Sequence, residues 1–322
     1  MKILAVDDDE SILGLLPMIA AKAGFPDVST AISGAAALDA LHSFVTVFDC
    51  LLLDINMPGM DGIELCSRVR AIPTYRKTPI IMLTAMTEKR YIDSAFRAGA
   101  TDYATKPFDI VELSARLRMA QELVQARMET IIVGDGLMVP STPHNANYQF
   151  DLSEKIKFAN IRDLVEYTAL TNYLTQLSRT GRVSSQVVAM KVDRIETIYG
   201  HTTSDEFIYA MTEVADAIAE AIKTTDYLMA YAGNGTFVIV SNKVNLEPSI
   251  TLEAEVQYAL DERNSEYDNG NPLDIEISIG NPILPSGGTR GVKTTIERAI
   301  SRAEIRMTNK RSRRQPISIR YR

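Results

Sequence analysis

LLLDINMPGMDG, residues 51–62, decides the fold of the first part of the chain: three leucines run into Asp54, and Pro58 and Gly59 turn the backbone behind it. A short apolar run bounded by turn residues reads as a buried strand, here one that ends on a carboxylate. The same rhythm continues on both sides. Upstream come a strand from Lys2 to Val6, a helix to Gly24, a strand from Val28 to Ala31, a helix from Gly34 to Ser43 and the strand Cys50 to Leu53. Downstream come a helix from Gly62 to Ala71, a strand from Pro79 to Thr84, a helix from Glu88 to Ala98, a strand from Asp102 to Thr105 and a long helix from Asp109. Strands that alternate with helices in this way predict an α/β fold, a (βα)5 doubly wound parallel sheet, because each parallel crossover requires an intervening element. Ligands of such sheets sit at the carboxyl ends of the strands.

Chemistry-bearing residues gather at those ends. Asp7, Asp8 and Asp9 follow the first strand and Asp54 ends the third, while Thr84 ends the fourth and Lys106, before Pro107, the fifth. A hard cation such as Mg²⁺ takes oxygen ligands, which carboxylates on neighbouring strand ends supply. Asp8 and Asp9 singly are equally well read as helix N-caps. The set is more specific than its members, since it brings carboxylates, a hydroxyl and an ammonium to one edge.

VDDD, LLLDINMPGMDG, PIIMLTA and GATDYATKPF resemble, in order and spacing, the motifs of the response-regulator receiver family. The resemblance implies that Asp54 is the phosphoacceptor and that Mg²⁺ is held by Asp54, by Asp8 directly, by Asp7 through water and by the backbone carbonyl of Asn56. It also implies that Lys106 and Thr84 contact the phosphoryl group, that Tyr103 is the switch residue changing rotamer with Thr84, and that the Lys106–Pro107 peptide is cis. The implied donor is a sensor histidine kinase or a phosphotransfer protein. Met86 offers no polar group to orient attacking water, which predicts slow dephosphorylation, and Pro17 predicts a kink in the first helix.

Residues 134–147 are rich in Gly, Pro, Ser, Thr and Asn and read as a linker. This divides the chain into a receiver domain over 1–129, a linker over 130–155 and a second domain over 156–322. Periodicity there predicts a helix from about Ile156 to Leu177, the strand Gln186 to Val192, and a helix with Phe207, Met211, Val214, Ile218 and Ile222 on one face. Two runs, Tyr227 to Ala232 and Thr236 to Val240, flank Gly233-Asn234-Gly235, a hairpin signal. A helix from Leu252 to Arg263, the strand Asp274 to Ile279, a helix from Val292 to Asn309 and a strand at Ile317 to Ile319 complete an α/β domain with a mixed central sheet.

From about Asn172, where NYLTQL stands, through IYGHTTSDEF, AYAGNGTFVIV, IEISIG and RAISRAEIRM, this half resembles the GGDEF family of diguanylate cyclases. That family holds two Mg²⁺ ions with carboxylates to join two GTP molecules. Here the D-x-D position reads Lys191-Val192-Asp193, with a lysine in place of the first metal ligand. The signature reads Ala232-Gly233-Asn234-Gly235-Thr236, or Gly233 to Phe237 with one residue inserted, and in either register its acids are missing. Glu196 stands where a phosphate-binding lysine is expected, and the product-inhibition motif R-x-x-D reads Lys223-Thr224-Thr225-Asp226. Asp205 alone remains of the guanine contacts. The expectation is no cyclase activity and a GGDEF-like interaction module, whose homodimerisation or binding of a protein partner responds to phosphorylation. The alternative is an active cyclase that uses Asp193 and Asp205.

Composition sets the frame: 322 residues allow two domains, and 46% apolar content suits globular ones. No apolar run approaches the roughly 18 residues of a membrane span, and MKILAVDDDE is no signal peptide, so a cytoplasmic protein is expected. Cys50 and Cys66 lack metal-ligand spacing and are expected to be reduced. Net charge is −7, against which Lys310, Arg311, Arg313, Arg314, Arg320 and Arg322 make the C-terminus basic. Without helix-turn-helix or zinc spacing that run reads as a solvated tail, with nucleic-acid binding the lesser alternative. Leu113, Leu117, Ala120 and Val124 form an apolar seam that suits either a homodimer or packing on the domain's own sheet.

Overall fold

The computed structural model describes residues 1–43, 46–85, 89–132, 150–156, 158, 161, 163–179, 185–222, 227–241, 249–267, 270–285 and 288–314. The chain divides into two compact units, Met1–Pro140 and Ser141–Arg322. Met86, the motif 223–226 and the strand expected at 317–319 lie outside the described residues, as do 133–149 of the expected linker.

In the first unit the elements run β1 (Ile3–Val6), α1 (Glu10–Lys22), β2 (Val28–Ala31), α2 (Gly34–His42), β3 (Cys50–Asp54), α3 (Gly62–Ala71), β4 (Ile80–Thr84), α4 (Lys89–Arg97), β5 (Asp102–Thr105) and α5 (Ile110–Ile132). The strands form one parallel sheet in the order β2-β1-β3-β4-β5. β1, β3 and β4 are buried along their whole length, which is why they read as unbroken apolar runs rather than alternating ones. Register aligns the ends: Val6 lies beside Leu53, Asp54 beside Leu83 and Thr84 beside Thr105. Acids, hydroxyl and lysine thus leave the sheet along one edge. α1 continues through Pro17, its N-terminus capped by Asp9, whose carboxylate accepts the Ser11 N–H at 2.8 Å. The seam of α5 faces its own domain: Leu113, Leu117 and Ala120 are buried with Leu13, Leu16 and Ile19 of α1 and with Leu52 and Ile81 of the sheet.

In the second unit the elements are α6 (Tyr167–Arg179), β6 (Gln186–Val192), α7 (Ile195–His201), α8 (Ser204–Ala221), β7 (Tyr227–Tyr231), β8 (Thr236–Ser241), α9 (Ser249–Arg263), β9 (Ile277–Ile279) and α10 (Gly288–Arg314). The strands lie in the order β7-β8-β6-β9 and pair antiparallel throughout. Among the described residues, the parallel bridge Leu164–Met229 is what remains of the mixed sheet expected from sequence.

The helix expected from Ile156 begins at Tyr167 instead. Ile156, Phe158, Ile161, Leu164 and Val165 have helix-like spacing, but their backbone is used elsewhere: Val165 N–H donates to Met229 O at 2.8 Å and Met229 N–H to Asp163 O at 2.9 Å. NYLTQL accordingly lies inside α6 and opens nothing. Residues 150–155, expected in the linker, pack on this unit through Phe150 and Leu152.

β9 stands at the sheet edge, and side chains take the place of a further strand. Gln257 accepts the Ile277 N–H through Oε1 at 3.2 Å and donates through Nε2 to Ile275 O at 2.9 Å. Glu253 accepts the Ile279 N–H at 2.8 Å, and Lys310 donates to Ile277 O at 2.5 Å. Lys310 is therefore no part of a solvated tail. α10 carries the chain through Arg314, with Lys310 turned onto Asp193 and Glu253 and Arg306 paired to Glu253.

Candidate functional site

Asp7, Asp8 and Asp54 bring one carboxylate oxygen each within 4.8 Å of one another, a cluster built from the ends of β1 and β3. Asp7 and Asp54 are buried and Asp8 is exposed. The Lys106 ammonium lies between the two buried acids, 2.6 Å from Asp7 Oδ2 and 2.7 Å from Asp54 Oδ1. Asp54 Oδ2 accepts the backbone N–H of Asn56 at 2.7 Å, and Asp7 Oδ1 that of Asp9 at 3.0 Å. Asp9 itself caps α1, so its two sequence-level readings separate: Asp8 joins the cluster and Asp9 serves the helix.

Electrostatics follow from this packing. Burial pushes the Asp54 carboxyl above its ordinary range, with Asp7 adding to the rise and Lys106 and the Asn56 N–H opposing it. Burial alone would lower the Lys106 ammonium, but its bonds to Asp54 and Asp7 hold it above the usual lysine range. Thr84 is fully buried, and its backbone carbonyl accepts the Lys106 N–H at 2.7 Å, tying the ends of β4 and β5 together. Tyr103 on β5 is buried and bonded to Thr84; burial pushes its phenol up to about 12. The Lys106–Pro107 peptide is cis. Oxygen donors from three acids beside a counter-charged lysine fit a hard divalent cation such as Mg²⁺.

Gly62 was missed as a site residue by sequence reasoning. A Cβ on Gly62 would collide with the backbone carbonyl oxygen of Asp54, so the first residue of α3 must be bare for β3 to end where it does. The MPGMDG stretch held that signal, since a glycine with no need for positive φ marks a close approach.

The second unit brings a different set together. Lys191, 6% exposed near the end of β6, donates to the carbonyl oxygen of Asn234 at 2.5 Å. Burial holds this ammonium below the usual lysine range despite Glu196 and Glu304. Asp193 is buried 3.7 Å from the Lys310 ammonium, and burial raises its carboxyl. Asp205 lies exposed in the first turn of α8, and Glu196 is exposed on α7. Around the turn, Asn234 N–H donates to Leu152 O at 2.7 Å, Gly235 N–H to Tyr231 Oη at 2.9 Å and Thr236 N–H to Gly233 O at 3.0 Å. Arg311 is exposed near the end of α10, and the side chains of 313 and 314 lie outside the described residues, as do 320 and 322.

Comparison with known proteins gives two family matches. A model of the response regulator receiver domain matches residues 3–118, and one of the diguanylate cyclase GGDEF domain matches residues 163–315. The second match begins nine residues before the start at Asn172 expected from NYLTQL. The chain is similar to the chemotaxis protein CheY of Pseudomonas aeruginosa, 37% identical over 124 residues, which are 38% of this chain and 98% of that protein. It is 38% identical over 117 residues to the response regulator PleD of Caulobacter vibrioides, covering 36% of this chain and a quarter (25%) of PleD. A solved structure of Vibrio cholerae chemotaxis protein CheY4 is 36% identical, covers 37% of this chain and 97% of that one, and has a TM-score of 0.35. Among the described residues, no helix is long and apolar enough to cross a membrane.

Proposed function

Because this chain belongs to the response-regulator family, with a receiver domain followed by a GGDEF domain, we propose that it accepts a phosphoryl group on Asp54 and signals through a second domain that makes no cyclic di-GMP. A receiver implies a phosphodonor such as a histidine kinase or phosphotransfer protein. The observation that carries the reading is the Lys106 ammonium within 2.7 Å of both Asp7 and Asp54, beside the exposed Asp8.

The anionic Asp54 attacks phosphorus in line; its O–P bond forms as the P–N bond to the donor imidazole breaks, and the imidazole leaves with the electron pair. Asp8 and Asp54 directly, Asp7 through water and the Asn56 carbonyl would hold Mg²⁺, which when bound offsets charge on the phosphoryl oxygens. Lys106 moves from its carboxylates toward the incoming oxygens, and Thr84 donates to the product phosphoryl group. Tyr103, bonded to Thr84, follows it, which carries the change to the outer face of β5.

Three features support inactivity of the GGDEF domain. An ammonium, Lys191, lies where the family places its first metal-binding acid, and it is already spent on the Asn234 carbonyl. Asp193, the nearest acid in sequence, faces Lys310. The N–H groups of Asn234, Gly235 and Thr236, which in a glycine turn could cradle a phosphate, have partners within the chain. The output is a change in homodimerisation or in binding of a protein partner, in the cytoplasm.

Full-length protein treated with Mg²⁺ and a small phosphodonor is followed by light scattering and by chromatography of added GTP. Asp54-dependent change in association without GTP turnover is the expected result; accumulation of cyclic di-GMP would overturn the reading.

A further inference from the structure

Phe150 to Ser153 lie ahead of the residues that match the GGDEF family, yet they are seated on that domain. The Phe150 ring packs against Phe207 at 5.8 Å and Tyr199 at 6.5 Å between centroids, and the Tyr199 hydroxyl donates to Phe150 O at 2.8 Å. Two residues on, Leu152 O accepts the Asn234 N–H at 2.7 Å. The next carbonyl, that of Ser153, comes so close to Gly233 (φ +85°) that a Cβ there would collide with it. At its far end the segment is held by Lys155, whose ammonium lies 3.9 Å from the centroid of the Tyr167 ring.

These contacts differ in kind from the core beneath them. Phe150 and Leu152 are only partly buried, whereas Phe158, Tyr231 and Phe237 close the interior with one another. A segment held by a few contacts at its edge opens more readily than the domain unfolds. What it covers is specific: the Tyr199 and Phe207 rings and, two residues on from Phe150, the Asn234 N–H, which points at the carbonyl of a turn that the Glu154 N–H closes on Asp151 O at 2.9 Å.

We propose that Phe150–Ser153 is a latch, an internal peptide ligand that can leave its seat on Tyr199, Phe207 and the Gly233–Asn234 turn while the domain stays folded. The vacated seat takes a peptide that makes the same turn, with an aromatic residue two places ahead of the carbonyl that meets the Asn234 N–H. This rests on reading the second domain as a binding module and names the site that does the binding. The chain's own segment is the occupant in the resting protein.

The test uses full-length protein: hydrogen–deuterium exchange over 150–156 and 230–236 in wild type, Phe150→Ala and Tyr199→Phe, with a synthetic peptide of sequence FDLSEKI as probe. In Phe150→Ala the turn amides exchange at least tenfold faster while the rest of the domain is unchanged, and added peptide restores protection. The same peptide with Ala for Phe binds at least tenfold more weakly. Tyr199→Phe, which keeps the ring and loses one hydrogen bond, gives a smaller rise confined to 150–156 and the turn. Unchanged turn exchange in both variants, global unfolding on loss of the Phe150 ring, or failure of the peptide to restore protection overturns the latch. Cyclic di-GMP synthesis in a parallel assay would overturn the binding-module reading alone and leave the exchange result standing.

Discussion

Asp54 is buried beside Asp7, and the consequence is a pH dependence set above the ordinary aspartate range even with Lys106 opposing the rise. Asp54 must be anionic to attack, and its pKa is raised by burial. Phosphoryl incorporation from a small donor should therefore fall on acidification at a pH above the ~4 of a solvated aspartate, and Asp54→Asn should incorporate none. Rates measured between pH 4 and 8 at fixed ionic strength check this; a fall confined to the range of free aspartate would contradict it. Lys191 makes stability itself depend on pH. Its folded pKa lies below the unfolded one, so the unfolded chain binds more protons between the two, and stability rises as pH climbs through that window. Lys191→Met removes the rise and stays within about 1 kcal/mol of wild type at neutral pH, because a buried ammonium and a methionine of similar volume nearly balance. Urea melts from pH 7 to 10 read both effects. The receiver acids were legible in sequence because they stand at the ends of two apolar strands, Asp7 and Asp8 after β1 and Asp54 on β3. Lys310 was not, since its partners Asp193 and Glu253 are distant in the chain and its neighbours disguised it as part of a charge run.

At the scale of elements, α3 starts against the end of β3, and Gly62 is the point of contact. Gly62→Ala should push the Asp54 carbonyl aside and slow phosphorylation by tenfold or more while costing about 1–3 kcal/mol, the usual range for overpacking a tight site. Phosphorylation kinetics and a denaturant titration of the same variant separate the two effects. A variant that phosphorylates at the wild-type rate would show that β3 tolerates the displacement. Strands and helices of the first unit could be read from the sequence because alternation of apolar runs with helical period is unambiguous when the central strands β1, β3 and β4 are buried on both faces. The segment before α6 was misread for a physical reason. Ile156, Phe158, Ile161, Leu164 and Val165 all point inward, as helical spacing would require, yet Asp163 and Val165 spend their backbone on Met229 of β7, a partner that periodicity does not register.

At the scale of the molecule, the two units have separate cores. A fragment ending at Ile132 should therefore accept phosphate at a rate within about twofold of the full chain, and the full chain should unfold in two steps rather than one. Calorimetry and phosphorylation of the fragment test this; a fragment that neither folds nor phosphorylates would mean that the first core is incomplete alone. One feature of the second unit bears on how the protein behaves when crowded. Gln257 presents its amide to β9 as a neighbouring strand would, and Glu253 and Lys310 finish the row. An edge so occupied offers no template for another chain, so crowding copies of this protein together does not lengthen the second sheet through β9.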